Sequence, residues 1–163
     1  EYDRHEYILE SDALKEDEKK QYRSIMNRKA DYQQYAESVK FLSKCLECYH
    51  GRQAIILIDE YDVPLENAWF EGFYDQMIKF IRSLFESALK TNDHLMFAVV
   101  TGCLRISKES IFIGLHVTKV NTYAFVGCFK ITIYYEGSSI PGTWYNNWNP
   151  LNRPVEFNSK KEQ

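Results

Sequence analysis

Short apolar runs alternate with longer amphipathic stretches in the first two thirds of the chain, which predicts an α/β fold. Residues 54–58 and Leu95–Val100 are continuous apolar runs, typical of strands that are covered on both faces of a parallel sheet. Over residues 67–90, apolar side chains recur at three- and four-residue steps, which predicts one long helix. A strand, a helix and a second strand in this order predict a βαβ unit with parallel strands.

Helical patterns precede the first strand. Residues 11–29 begin with acids and end with bases, which suits the dipole of a helix. A second helix is predicted over residues 32–50, with Gly51 as its C-terminal cap. The side chains that share its apolar face are Tyr35, Val39, Leu42, Leu46 and Tyr49.

The pattern changes after the second strand. A loop and a short helix with Ser107 as its N-cap come first, and strand composition follows, with alternation clearest over Lys130–Tyr135. From Ser138 the chain is rich in proline, glycine and asparagine, which predicts irregular structure. We therefore predict a helical segment at 1–51, a βαβ core at 52–115 and a divergent β-rich and irregular tail at 116–163.

The composition limits the classes of protein to which the chain can belong. The 163 residues are 45% hydrophobic and 15% aromatic, which suits one globular domain with a real core. The net charge of −3 gives no overall basic field, so we see no signature of nucleic-acid binding. No apolar run approaches the roughly 20 residues of a membrane helix. The acidic N-terminus lacks the layout of a signal peptide, so we expect a cytoplasmic protein that does not bind membranes.

Cys45 and Cys48 form a C-x-x-C pair with His50 close by. The pair suggests half of a zinc site, but no second pair follows at ligand spacing. A thioredoxin-like motif would follow a strand, whereas this pair lies near the end of a predicted helix. We therefore favour ordinary reduced thiols.

Carboxylates follow the first strand directly. Asp59 and Glu60 lie at its carboxyl end, and Thr101 lies at the matching end of the second strand, where parallel α/β sheets bind ligands. An apolar strand that ends in Asp-Glu is the Walker B pattern of nucleotide triphosphatases. Asp59 would hold the Mg²⁺ that bridges the phosphates, and Glu60 would be the general base for the attacking water. Thr101 would orient that water near the nucleotide, and Arg105 would reach charge in the transition state.

A purely structural role competes with this interpretation. Asp59 or Asp62 could cap the turn after the strand and pair with a surface lysine. For Asp62 we favour that role, because Val-Pro follows and aspartate commonly anchors such turns.

The stretches "LIDEYDVPLENAW" and "FYDQMIKFIRSLFESALKTNDHLMFAVVTGCLRISKESIFIGL" resemble the AAA-ATPase-like family of bacterial P-loop proteins over residues 7–115. The resemblance implies a P-loop NTPase-like fold, a three-layer arrangement around a parallel sheet, with ATP and Mg²⁺ as ligands. It implies a Walker B pair at Asp59 and Glu60 and a γ-phosphate sensor near Thr101. A role for Arg105 follows from its position and charge. A homo-oligomer and another protein partner both stay open as partners, because ATPases of this broad class often act at subunit interfaces.

The sequence departs from the family pattern in two places. No G-x-x-x-x-G-K-[ST] motif precedes the first strand, and Gly51, the glycine just before it, is not followed by a lysine-serine pair. Because loop amides and lysine provide most of the grip on phosphate, we expect weak or absent nucleotide binding and a fold truncated on its N-terminal side. After Leu115, the sequence "HVTKVNTYAFVG" replaces the family's continuation.

Two functions remain open. The first is a fragment or degenerate member of an ATP-binding AAA-like ATPase, in which Asp59 and Glu60 serve the complete enzyme. The alternative is a non-enzymatic protein-interaction module that keeps the ATPase scaffold and binds a partner through an open sheet edge. The missing lysine leaves catalysis by this chain undecided. A helicase-type acidic motif is disfavoured, since other helicase motifs and a basic stripe are missing.

Overall fold

A mixed three-stranded sheet lies at the centre of the structure, a computed structural model that describes residues 1–102 and 130–135. Strand β1 (Ala54–Asp59) lies between β2 (Leu95–Val100) and β3 (Lys130–Tyr135). All three strands were predicted from the sequence, and the parallel pairing of β1 with β2 is confirmed.

Strand β3 corrects the prediction of a parallel sheet. It runs antiparallel to β1, with Ile133 opposite Ile56 in the register. The physical reason lies in the sequence of β3, whose alternation is typical of antiparallel strands, whereas β1 has the continuous apolar run of a parallel one. The fold class is mixed α/β, and the more specific P-loop fold stays a prediction. The predicted helix at Ser107 and the irregular tail from Ser138 lie outside the described residues.

Four helical segments precede β1: an irregular 3₁₀ segment (Asp3–Glu10), α1 (Glu16–Met26), α2 (Tyr32–Ala36) and α3 (Ser38–His50). The helix predicted over residues 32–50 is therefore interrupted, at Glu37. The hydroxyl of Ser38 donates to the carbonyl oxygen of Tyr35 at 2.7 Å, and such side-chain bonds compete with the helical pattern. The predicted cap is confirmed: Gly51 has a φ of 68°, and its N–H donates to the Glu47 carbonyl at 2.8 Å.

Between β1 and β2 the chain forms α4 (Val63–Phe70), α5 (Tyr74–Phe85) and a π-helical turn (Glu86–Lys90). The prediction of one long helix over residues 67–90 was therefore wrong. Gly72 has a φ of 80°, a left-handed conformation that glycine adopts at little cost. The N–H of Phe73 then donates to the Ala68 carbonyl at 2.9 Å, which closes the end of α4.

Both faces of β1 are buried, as its apolar sequence predicts. On one face, Ala54, Ile56 and Ile58 join a large core with side chains from the helices. On the other face, Ile55 and Leu57 form a smaller cluster with Val99 of β2. The main contributors from the helices are Ile8, Tyr22, Leu42, Leu46, Leu65, Ile81 and Phe85.

Strand β2 is less buried than predicted. Met96 and Phe97 are 46% and 45% exposed. The reason is the position of β2, which is at the end of the sheet formed by the described strands and pairs there with β1 alone. Among the helices of residues 1–102, none is long and apolar enough to cross a membrane.

An ion pair joins α1 to α3. The Lys44 ammonium lies 2.6 Å from Glu18 Oε1, and Glu18 Oε2 accepts the backbone N–H of Lys15 at 2.8 Å. The bond from Lys44, followed by the bond from Lys15, lowers the pKa of the Glu18 carboxyl. Folding therefore favours the ionised form of Glu18 over the protonated form.

We expect Glu18→Gln to lower the free energy of unfolding at pH 7 by about 0.5 kcal/mol, as for other exposed ion pairs. The amide keeps an acceptor for the N–H of Lys15 and removes only the charge. Because the pKa of Glu18 is lowered in the folded state, its stabilising contribution is present above its ordinary value of 4.5 and is lost as the pH falls through the lowered value. The difference between the two proteins should thus shrink in acid.

Urea unfolding of both proteins at several pH values measures this difference. Asp17→Asn is the matched control, because Asp17 lies in the same first helical turn, is exposed and forms no ion pair within the described residues. Equal losses for the two variants at pH 7 would contradict a specific contribution of the Glu18–Lys44 pair.

Candidate functional site

Thr101 joins the carboxyl ends of β1 and β2 through its backbone. It directly follows β2, and its N–H donates to the Ile58 carbonyl at 2.8 Å. Its own carbonyl accepts the N–H of Tyr61 at 3.0 Å. The contact between the two chain segments therefore continues past the last residue of each strand.

The Thr101 side chain brings the predicted site residues together. Its hydroxyl donates to Oδ1 of Asp59 and accepts the backbone N–H of Glu60 at 3.2 Å. A hydroxyl has one hydrogen and two lone pairs, so one acceptor position remains. In this arrangement Thr101 can accept a hydrogen from a water molecule, while its own hydrogen is used to orient Asp59. Arg105, the fourth predicted residue, lies outside the described part of the chain.

Glu60 has an unusual backbone conformation at this point. Its φ is 53°, in the left-handed region that non-glycine residues rarely adopt. Such a conformation costs about 1 kcal/mol or more and persists where the surroundings hold it. Here the N–H of Glu60 is bound by Thr101, and its carbonyl accepts the N–H of Val63 at 3.1 Å. The side chain of Glu60 is 3% exposed, so it is directed into the protein and away from bulk water.

Asp62 differs from its prediction. It occupies the N-cap position of α4, but its side chain accepts no hydrogen bond from the helix. It is also 2% exposed, so it lies in the interior of the protein. The carboxylate lies beside the chain that leaves β2: a Cβ atom on Gly102 would be 2.8 Å from Asp62 Oδ1.

Tyr61 and Gly102 were missed by the sequence analysis. The ring of Tyr61 is buried and contacts Phe85 edge-on, with 6.2 Å between the ring centroids. A Cβ atom on Gly102 would be 2.5 Å from Cε1 of Tyr61, so this close approach requires a residue without a side chain. The available signal was the small residue that follows Thr101 at the end of an apolar strand.

The chemistry of the site suits a hydrated Mg²⁺ better than a metal held by protein ligands alone. Asp59 is partly exposed and supplies hard oxygen atoms. Mg²⁺ is usually held by one or two carboxylates and keeps several waters or phosphate oxygens. Within residues 1–102, no group of three histidine, cysteine, aspartate or glutamate side chains is placed to hold a metal ion.

The C-x-x-C pair lies on α3, away from this site. Cys45 is buried in the main core, and burial is the largest cause that raises its thiol pKa to about 12. Cys48 is exposed, and the two thiols are not joined by a disulfide. The protonated, buried Cys45 therefore acts as a small apolar side chain at neutral pH.

Comparison with known proteins gives one match. A family model described as "Predicted AAA-ATPase" matches residues 3–112, about two thirds of the chain. No curated protein and no solved structure matches the chain. The matched region contains β1, β2 and all four predicted site residues.

We expect Thr101→Val to lower the free energy of unfolding by about 1–2 kcal/mol, measured by urea unfolding. Valine keeps the shape but provides neither an acceptor for the Glu60 N–H nor a donor for Asp59. Thr101→Ser is the matched control because it keeps the hydroxyl and loses one methyl group. If valine and serine were equally stable, the hydroxyl bonds would not be what holds the site together.

Proposed function

Because the chain belongs to the Predicted AAA-ATPase family, we propose that the ends of β1 and β2 form the magnesium-binding side of an ATP site. Family membership suggests nucleotide and Mg²⁺ use in general. The observation that supports the specific assignment is the Thr101 hydroxyl, which contacts both Asp59 and Glu60. It connects Asp59, the last residue of β1, and the backbone of Glu60 with the residue that follows β2.

Asp59 is the proposed metal-binding residue. Its Oδ1 is held by Thr101, so the carboxylate has a defined orientation at the sheet edge. Bound Mg²⁺ neutralises charge on the phosphates of ATP. Asp59 would bind it directly or through a water, and partial exposure leaves room for the phosphate oxygens on the other side.

Glu60 is the proposed general base. Its carboxylate would take a proton from the attacking water. Glu60 is 3% exposed in this structure, so that water would have to reach the carboxylate inside the completed site. Thr101 would accept a hydrogen bond from the same water through its remaining lone pair. Arg105 would stabilise transition-state charge, in this subunit or a neighbouring one.

The groups that bind the phosphates of ATP would come from outside these 163 residues. The 163 residues contain no G-x-x-x-x-G-K-[ST] motif. We propose that loop amides and a lysine from the complete enzyme, or from a neighbouring copy, complete the site. The chain alone would then bind ATP weakly and depend strongly on Mg²⁺.

A non-enzymatic interaction module is the second candidate. The observation in its favour is the edge of β2, where Met96 and Phe97 are nearly half exposed. An open strand edge can pair with a strand of another protein. Titration of the chain with an ATP analogue distinguishes the two functions. An interaction module that has lost ATP chemistry would show no Mg²⁺-dependent binding of the nucleotide.

We expect Asp59→Asn to weaken Mg²⁺-dependent binding of a fluorescent ATP analogue by about tenfold or more, equivalent to about 1.4 kcal/mol. Asparagine keeps an oxygen that accepts from Thr101 and loses the negative charge that attracts the cation. Asp93→Asn is the matched control, because Asp93 is exposed and precedes β2 at its opposite end. Equal binding by the two variants would remove Asp59 from the metal site. Absence of any saturable binding by the unmodified chain would favour the interaction module.

We expect Glu60→Gln to reduce ATP turnover by about 10²-fold or more, since a glutamine cannot act as a general base. Binding of the ATP analogue should change little, because the side chain is not proposed to hold the metal. Phosphate release in single-turnover reactions measures the rate, with Glu10→Gln at an exposed position as the control. Unchanged turnover in Glu60→Gln would exclude Glu60 as the base.

A further inference from the structure

Large aromatic side chains are exposed where α4 meets α5. Trp69 and Phe70 end α4 and are 68% and 84% exposed, and Phe73 just before α5 is 38% exposed. Inward-facing residues of α4, Leu65 and Ala68, are fully buried. Contiguous exposed aromatics of this kind mark interaction sites on soluble proteins. We call this region the junction surface; it consists of Glu66, Trp69, Phe70, Glu71, Phe73 and Asp75.

The turn at Gly72 separates α4 from α5 and places Trp69 beside Tyr74. The left-handed glycine reverses the chain and brings Trp69 edge-on to Tyr74, with 5.6 Å between ring centroids and 85° between ring planes. An open groove of about 380 Å³ lies beside these rings. It is lined by Trp69, Gly72, Phe73, Tyr74, Asp75 and Gln76. Because Trp69 already contacts Tyr74, the Trp69 ring requires little ordering on binding.

Negative charge surrounds the exposed aromatics. Glu66, Glu71 and Asp75 are all exposed, and none of them forms an ion pair within the described residues. Residues 53–78 contain no lysine, arginine or histidine, so Lys79 is the first base to follow along α5. The junction surface therefore combines aromatic faces with carboxylates that attract a cation.

We propose that the junction surface binds a basic, arginine-containing segment of a partner protein. A guanidinium can stack on the face of Trp69 and pair with a nearby carboxylate through parallel hydrogen bonds. Apolar side chains of the same segment would cover Phe70 and Phe73. Nucleic acids and anionic membranes carry the same sign of charge as the three acids, so this surface repels them. The proposal goes beyond the ATP site and does not depend on it.

The test uses a fluorescein-labelled peptide with four Arg-Leu-Gly repeats and the full 163-residue chain, followed by fluorescence anisotropy at about 0.15 M salt. We expect saturable one-to-one binding. Trp69→Ala should weaken it by about fivefold, as expected for a lost cation–π contact. Neutralising the junction with Glu66→Gln, Glu71→Gln and Asp75→Asn should weaken it by about tenfold or more and reduce its dependence on salt.

The matched control neutralises three exposed acids elsewhere, with Glu6→Gln, Glu10→Gln and Asp12→Asn. This variant has the same net charge as the junction variant and should bind like the unmodified chain. Circular dichroism establishes that all variants are folded, which is expected because the changed side chains are exposed. A second peptide with lysine in place of arginine should bind several-fold more weakly, because an ammonium lacks the planar stacking surface.

Several results would overturn the proposal. Equal weakening by the control variant would show that the peptide responds to net charge only. Equal affinity for a peptide with glutamate in place of arginine would show that apolar contacts alone account for the binding. Tryptophan-dependent binding of phosphatidylglycerol vesicles or of a single-stranded oligonucleotide would assign the surface to a different class of partner. Absence of saturable binding by the arginine peptide would show that the surface does not recognise basic segments.

Discussion

The hydrogen bonds of Thr101 hold the end of β1 to the end of β2, and the geometry of the candidate site depends on them. One residue binds Ile58 and Tyr61 through its backbone and Asp59 and Glu60 through its hydroxyl. Because the N–H, the carbonyl oxygen and the hydroxyl of Thr101 bind different residues, these contacts restrict one another. The sharp turn at Glu60, with its positive φ, is stabilised by the hydrogen bonds of its own N–H and carbonyl groups.

Burial of β1 determines where those bonds form. Its apolar side chains are covered on both faces, so the strand cannot shift by one residue without exchanging the two clusters. The register therefore places Asp59, which is partly buried, at the end of the strand, and the next three residues, Glu60, Tyr61 and Asp62, are buried. Asp59 can follow a hydrophobic strand because it is partly exposed there and its carboxylate accepts a hydrogen bond from the Thr101 hydroxyl.

Two regions of the same βαβ unit carry the proposed functions. Under the first proposal the strand ends would present oxygen atoms to Mg²⁺, whereas the α4–α5 junction has exposed aromatic rings with exposed acids nearby in the sequence. Family membership concerns the first region, since it suggests nucleotide use in general. The second region depends on local geometry alone, because Gly72 turns the chain so that Trp69 and Tyr74 meet.

The sequence by itself determined the three strands, the first helix, the cap at Gly51 and the grouping of Asp59, Glu60 and Thr101. Each follows from local spacing or from the rule that parallel strands end at one edge. The break between α4 and α5 at Gly72 was not predicted, because aromatic residues continue the helical spacing on both sides of it. Only the tertiary structure decided that β3 pairs with β1, that Asp62 is buried and that β2 is partly exposed. These features depend on which distant segments lie alongside, and local periodicity does not specify them.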